Sequence, residues 1–205
     1  MSYLTDLSLA PDSITVLLLS ELLASPTLGE ITRSGFTTGW SQHPSSTTIS
    51  AQKTILKQLT SQLPQPGSSG GQTNPLFRRV YKHTFKLALP AGTRGIPLEM
   101  AFEYWKLLFG TSGASWDGST PEGRAQGVSK PWLEWWISFL GEKWRKAVNK
   151  DLWEQTLVFC EKTRGDESLT WWSEDGAWPG VVDEFVEWCK VEKGVGGGGG
   201  EAMEE

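Results

Sequence analysis

The sequence has little cysteine and histidine, and this shortage excludes several kinds of site. Of the 205 residues, two are cysteines, Cys160 and Cys189, and two are histidines, His43 and His83. A zinc site needs four ligands at short, regular spacing, and these four residues do not show that spacing. We therefore expect no metal or other cofactor, and two free thiols without a disulfide bond.

Long apolar runs and a basic N-terminal segment are also missing. A secretion signal carries positive side chains ahead of its apolar run. The first residues here, MSYLTDLSLAPDS, carry none. No apolar stretch reaches the length of a membrane span. We expect a protein of the cytoplasm and nucleus that does not bind membranes.

Positive charge is scarce in the last quarter of the chain. Residues 151–205 contain 14 acidic and 4 basic side chains, a net charge of −10, whereas residues 1–150 contain 10 acidic and 15 basic ones, a net charge of +5. Phosphate binding requires clustered positive charge, so a nucleic acid is not an expected partner. The acidic segment instead predicts a basic partner.

Apolar residues recur at the three- and four-residue spacing of helices, and no long run alternates with period two. These patterns predict one all-α domain over residues 1–193. The first long helix, residues 14–23, is apolar on most sides, so we expect it to be buried on two sides or to line a groove. Asn149 and Pro179 are start signals for the last two helices.

Tryptophan is abundant, with 12 residues. Most of them recur at helical spacing, which favours a place in the core over a carbohydrate-binding platform. One helical stripe after Pro131 is predicted to contain Trp132, Trp136, Leu140, Trp144 and Ala147.

Three segments lack helical periodicity, and we predict that they are unstructured. Residues 64–75, PQPGSSGGQTNP, have the composition of a flexible connection. Residues 110–130 are rich in Gly, Ser and Thr with only Trp116 as an anchor, so we expect a mobile insertion. The end of the chain, residues 194–205, is expected to be a disordered tail.

The last third of the chain contains motifs that resemble a known family. NKDLWEQTLVFCEK, followed by WWSEDGAWPGVVDEFVEW, is similar to the C-terminal half of the defective-in-cullin-neddylation family, whose shared domain is called potentiating neddylation. The upstream stretches PDSITVLLLSELL, YKHTFKLA and GIPLEMAFEYWKLL fit the family pattern in the same order. The resemblance extends from about residue 3 to residue 188, interrupted by residues 110–130.

The resemblance implies a compact all-helical domain of two EF-hand-like halves without calcium sites. The sequence agrees, because no stretch has the spaced acidic and amide ligands of a calcium loop. Family members act as scaffold-type ligases that hold a conjugating enzyme, charged with a ubiquitin-like modifier, beside a cullin. They form no covalent intermediate, so no catalytic residue is expected. We expect a monomer without the N-terminal ubiquitin-binding domain that many members carry.

The resemblance also implies two binding surfaces. An acidic surface for the basic C-terminal winged-helix region of a cullin corresponds to Asp151, Ala177, Asp183 and Glu184, and Glu187 would widen its field. Two carboxylates at the starts of two helices, with a small residue between them, leave room for a Lys or Arg side chain.

The second implied surface is a hydrophobic pocket for the acetylated N-terminal methionine of the conjugating enzyme. Its family positions correspond to Val16, Leu19, Ser20, Leu28, Ile31, Leu87, Tyr104 and Leu107. Acetylation has a simple physical role, because a free N-terminus is an ammonium whose burial in an apolar pocket costs several kcal/mol.

Two other functions stay open from the residues alone. One is an enzyme that uses Asp151 and Asp183 as acid and base, although the sequence supplies no enclosed polar cleft for such a pair. The other is an interaction module that binds peptides in its apolar groove without stimulating any transfer.

Overall fold

A computed structural model describes residues 2–67, 71–110, 113–173 and 175–196, and these residues form the predicted all-α fold. A single π-helical turn, Leu140–Trp144, follows the eighth helix. The α-helices are α1 Ser2–Asp6, α2 Ile14–Leu22, α3 Arg33–Ser41, α4 Ile49–Gln62, α5 Pro75–Ala88, α6 Leu98–Leu108, α7 Pro121–Ala125, α8 Trp132–Phe139, α9 Lys150–Gly165 and α10 Gly180–Lys193.

A very short antiparallel pair of strands, which no sequence pattern indicated, fixes the approach to α9. Strand β1, Gly95–Ile96, pairs with strand β2, Val148–Asn149, with Gly95 opposite Asn149 and Ile96 opposite Val148. Because α9 begins at the residue after β2, this pairing ties the start of α9 to the corner between α5 and α6.

The helix starts follow local side-chain chemistry. Asn149 Oδ1 accepts a hydrogen bond from Leu152 N at 2.8 Å, which confirms the predicted cap of α9. Thr32 caps α3 in the same way, through Gly35 N at 3.0 Å. Pro179 precedes the first residue of α10, where its missing N–H leaves no donor unsatisfied.

Helix α2 contributes to two apolar clusters, which explains its apolar character on most sides. Leu17 and Leu18 belong to the main core, formed mainly by α5, α6, α8, α9 and α10. Leu19 and Leu23 belong to a smaller cluster with Trp40 and other residues of the N-terminal helices. Of the two predicted alternatives, burial on two sides or lining a groove, the first is confirmed.

The centre of the main core is a stack of aromatic rings joined by hydrogen bonds. Tyr81 stacks on Trp153 with ring centroids 4.7 Å apart, and Trp105 stacks on the same indole at 5.4 Å. The Tyr81 hydroxyl donates to the Trp153 carbonyl oxygen at 2.8 Å and accepts from Trp105 Nε1 at 2.9 Å. The buried polar atoms of this stack therefore satisfy one another.

Removal of the Tyr81 hydroxyl is expected to destabilise the fold. In Tyr81→Phe the buried Trp105 N–H loses its acceptor, so the free energy of unfolding falls by about 1–3 kcal/mol. Urea denaturation measures this as a lower midpoint with an unchanged slope. Tyr104→Phe is the matched control, since among the described residues no hydrogen bond of its hydroxyl is found; equal stability of the two variants would contradict the proposed role of the bond.

Part of the connection at residues 64–75 is fixed, contrary to the predicted flexibility; residues 68–70 of that segment lie outside the described residues. Thr73 is buried, and both its backbone N–H and its hydroxyl donate to the Glu161 carboxylate of α9. Gly71 adopts a positive φ of 77° against the backbone of α9, where a Cβ would lie 2.4 Å from the Glu161 carbonyl oxygen. This close approach explains why glycine stands there.

The segment predicted as a mobile insertion, residues 110–130, adopts a defined structure at residue 110 and residues 113–130. Residues 111 and 112 lie outside the described residues. Trp116 is fully buried, and its indole donates to Thr163 Oγ1 at 2.8 Å. Residues 121–125 form α7, which Thr120 caps. Burial of Trp116 and Val128 and hydrogen bonds such as Ser115 N to Gln126 Oε1, at 3.0 Å, hold this loop in place, although its composition is typical of mobile segments.

Glu167 connects the end of that segment to the residues after α9. Its carboxylate accepts from the backbone N–H groups of Ser129 and Lys130, from the Ser129 hydroxyl and from Trp132 Nε1. Burial raises the pKa of Glu167, but these hydrogen bonds lower it by more, so its pKa lies below the usual glutamate value.

A lowered pKa in the folded state makes stability depend on pH. The contribution of Glu167 is complete above its unfolded pKa, about 4.3, and is lost as the pH falls through the lower folded value. We expect Glu167→Gln to lower the free energy of unfolding by about 1–2 kcal/mol at pH 7, with the difference from wild type narrowing below about pH 4. Glu192→Gln, at an exposed position of α10, is the control; a difference that does not change with pH would contradict the assignment.

Two boundaries of the predicted elements are also corrected. The helix after Pro131 does not continue to Ala147, because the π-helical turn ends at Trp144 and the next residue, Arg145, has a positive φ of 51°. The tail does not begin at residue 194, since Val195 is buried in the main core. Residues 197–205 of the predicted tail lie outside the described residues.

Candidate functional site

The acidic surface lies at the starts of α9 and α10. Asp151 is in the first turn of α9 and is exposed, and Asp183 is in the first turn of α10. A carboxylate in a first turn interacts favourably with the unpaired N–H groups of the helix. These positions confirm the expected placement of both aspartates at helix starts.

The corner between α9 and α10 is held by aromatic packing, which determines where Ala177 lies. Trp178 contacts Phe159 of α9 edge-on, with ring centroids 6.0 Å apart, and Trp171 at 5.8 Å. Trp178 is half-buried, whereas Ala177 beside it is exposed. The small side chain thus faces outward at a corner whose neighbouring tryptophan is anchored.

An open cavity of about 480 Å³ marks one part of the acidic surface. Trp172, Asp183, Glu184 and Glu187 line it, and the Trp172 indole N–H donates to Asp183 Oδ1 at 3.1 Å. The structure thus brings Asp183 and Glu184 together, as expected, and adds Trp172. Asp151 and Ala177 are exposed outside the lining of this cavity.

A larger, mostly apolar cavity of about 750 Å³ lies between the N-terminal segment and α6. Its apolar lining includes Leu17, Leu28, Met100, Tyr104 and Leu107. Three carboxylates, of Asp12, Glu99 and Glu103, also line it, together with Pro11, Ser13 and Lys106. The cavity therefore combines an apolar interior with a mainly acidic border.

The structure brings only three of the eight expected pocket residues to this cavity: Leu28, Tyr104 and Leu107. Val16, Leu19, Ser20 and Leu87 are buried, and their side chains do not line it. Ile31 is 36% exposed and lies outside the lining as well.

Several lining residues were missed by sequence reasoning although a signal for them exists. Glu103 and Tyr104 are each three or four residues from both Met100 and Leu107, so the four share one face of α6. Met100 is 41% exposed, so its side chain is accessible on that face. Helical spacing from Tyr104 would therefore have identified both Met100 and Glu103.

The two thiols are not arranged for nucleophilic chemistry. Cys160 and Cys189 are buried and unbonded to each other, and burial raises the pKa of both thiols well above the ordinary value. Among the described residues no group of three or more His, Cys, Asp or Glu side chains is placed to hold a metal ion. The helices of the same residues include none long and apolar enough to cross a membrane.

The sequence pattern of the family described as "Cullin binding" matches residues 51–188, well over half of the chain. The chain belongs to the cullin-binding family. The matched range includes the whole acidic surface and the α6 side of the apolar cavity, but not Leu17 or Leu28. The resemblance seen in the motifs of the last third is thus confirmed.

Relatives of the cullin-binding family match nearly the full chain. This chain is 34% identical over 197 residues to Defective in cullin neddylation protein 1 of Pyricularia oryzae. The matched region covers 96% of this chain and 67% of that protein. It is 32% identical over 190 residues to the protein of the same name from Yarrowia lipolytica, with 93% and 69% covered. It is 28% identical over 190 residues to DCN1-like protein 3 of Rattus norvegicus, with 91% and 54% covered.

Proposed function

We propose that this protein promotes cullin neddylation as a non-covalent scaffold. It binds the winged-helix region of a cullin through the acidic surface and the acetylated N-terminus of the neddylation conjugating enzyme through the apolar cavity. The observation that carries the proposal is the presence, in a member of the cullin-binding family, of these two surfaces on different helices. The names of the relatives, which refer to cullin neddylation, support the same function.

The acidic surface suits a basic partner by charge and by shape. Asp183, Glu184 and Glu187 border an open cavity in which a Lys or Arg side chain can approach several carboxylates at once. Asp151 extends the negative field along the start of α9. Complementary charge of this kind accelerates association and fixes the orientation of the two proteins.

The apolar cavity suits a neutral, acetylated N-terminus. Burial of a methionine side chain against Leu17, Met100 and Leu107 contributes roughly 2–3 kcal/mol, and methionine adapts well to an irregular cavity. The border carboxylates of Asp12 and Glu99 can hold basic residues that follow the methionine, whereas Glu103 is paired with Lys106 at 2.7 Å. We infer that the conjugating enzyme presents an apolar residue first and positive charge after it.

Stimulation of transfer follows from holding both partners on one folded domain. The cullin lysine then meets the charged thioester at a raised effective concentration and in a restricted orientation. Because both cysteine thiols of the chain are buried with raised pKa values, the modifier passes directly from the conjugating enzyme to the cullin.

A reconstituted neddylation reaction tests this function. Addition of the protein to the charged, N-terminally acetylated conjugating enzyme and a cullin fragment is expected to raise the transfer rate at least about tenfold. Excess acetylated N-terminal peptide is expected to abolish the stimulation by competing for the apolar cavity. If the protein binds the peptide but the rate does not change, it is a peptide-binding module and the scaffold function is wrong.

A further inference from the structure

Lys190 of α10 lies against the tryptophan that borders the acidic cavity. Its ammonium nitrogen is 4.1 Å from the centroid of the Trp172 ring, a cation–π distance. The same indole donates its N–H to Asp183. The face of the Trp172 ring therefore binds the Lys190 ammonium, while its indole N–H binds the Asp183 carboxylate.

Lys190 forms no direct ion pair with the carboxylates that border the cavity. Glu187 lies three residues before it on α10, a spacing at which ion pairs commonly form. Yet none of the ion pairs found among the described residues includes Lys190, Glu184 or Glu187. The two glutamates border the cavity with their charges unpaired by lysine, while Lys190 contacts the aromatic ring.

We propose that Lys190 is an internal competitor for a cationic side chain of the partner. It occupies Trp172 in the free protein and is displaced when a Lys or Arg side chain enters the cavity; the proposal rests on the proposed function. An incoming cation gains attraction from Asp183, Glu184 and Glu187. The same cation repels a second positive charge held on the adjoining ring.

This arrangement makes Lys190 a specificity-determining residue. A partner that places no cation among the three carboxylates does not displace Lys190. It meets an acidic surface on which the Trp172 ring is still covered by Lys190. A partner that places a cation among the three carboxylates gains enough to displace it. Competition of this kind reduces binding of wrong partners more than that of the right one.

Substitution of Lys190 tests the competition. Titration calorimetry of the full chain with a cullin winged-helix fragment is expected to show tighter binding for Lys190→Gln than for wild type. Lys193→Gln is the matched control, because Lys193 has the same charge on the same helix but lies over Trp188, at 4.7 Å, and Trp135, at 5.9 Å. The tightening by Lys190→Gln should exceed that of the control by about two- to fivefold.

A Trp172→Leu background separates ring competition from general charge repulsion. There the excess effect of Lys190→Gln over Lys193→Gln should disappear, because Lys190 has lost the ring. Nuclear magnetic resonance of the chain labelled at lysine Cε gives a direct readout. The ring current of Trp172 should shift the Lys190 ε-protons upfield in the free protein, and saturation with the fragment should remove that shift.

Three results would overturn the competitor role while the proposed function stands. These are equal effects of the two glutamine variants, weaker binding by Lys190→Gln, and an upfield shift that persists in the saturated complex. A wild-type chain that does not bind the fragment at all overturns both the competitor role and the proposed function.

Discussion

The double variant Asp151→Ala, Asp183→Ala is expected to lose nearly all affinity for a cullin winged-helix fragment. Each aspartate lies in the first turn of a helix on the acidic surface, and each is expected to face a basic side chain of the cullin. If each lost charge pair costs about 1.5 kcal/mol, the dissociation constant rises about 100-fold. Titration calorimetry at fixed ionic strength measures this change.

The matched control removes two charges elsewhere. Asp6 of α1 and Glu142 of the π-helical turn are both exposed and lie outside the acidic surface, so Asp6→Ala, Glu142→Ala has the same net charge as the test variant. It should bind the fragment with nearly wild-type affinity. The test variant should still bind the acetylated peptide; equal cullin affinity of the two double variants would show that the acidic surface is not the binding site.

The second large effect is expected at the apolar cavity, where acetylation of the peptide should decide binding. A free amine enters as an ammonium, and its burial beside Leu17 and Leu107 requires the loss of its hydration. The border carboxylates of Asp12 and Glu99 attract that ammonium and hold it outside the apolar interior. The acetylated N-terminal peptide is therefore expected to bind at least about 100-fold more tightly, a difference of about 2.7 kcal/mol.

A variant pair locates that effect in the cavity. Leu107→Glu places a carboxylate in the apolar lining and is expected to abolish binding of the acetylated peptide. Val191→Glu adds the same charge at a position that is 71% exposed on α10 and should leave peptide binding unchanged. Residual binding of the free-amine peptide should weaken steeply with salt. Equal affinity for the acetylated and free-amine peptides would refute the pocket assignment.

The residues that line the apolar cavity differ from those that the family resemblance implied. Eight residues were expected to line one pocket, and Leu28, Tyr104 and Leu107 do so. Val16, Leu19 and Ser20 of α2 and Leu87 of α5 are instead buried. Helix α2 has little free surface because it contributes to two apolar clusters. An apolar pattern identifies a buried side chain, but it does not tell core from pocket wall.

Local chemistry allowed the sequence by itself to determine the helical fold class and the placement of the acidic side chains. The Asn149 cap and the Pro179 start depend on near neighbours in the chain, so they could be predicted together with the first-turn positions of Asp151 and Asp183. Membership of the cullin-binding family was predictable from contiguous motifs for the same reason.

Only the tertiary structure decided which distant residues meet. Trp116 in a polar loop reaches Thr163 of α9, and Glu167 accepts hydrogen bonds from residues 129, 130 and 132. Trp172 acquires a role at the acidic surface because the chain folds back and places its ring between Asp183 and Lys190. Such contacts depend on packing between elements far apart in sequence, which composition and periodicity do not encode.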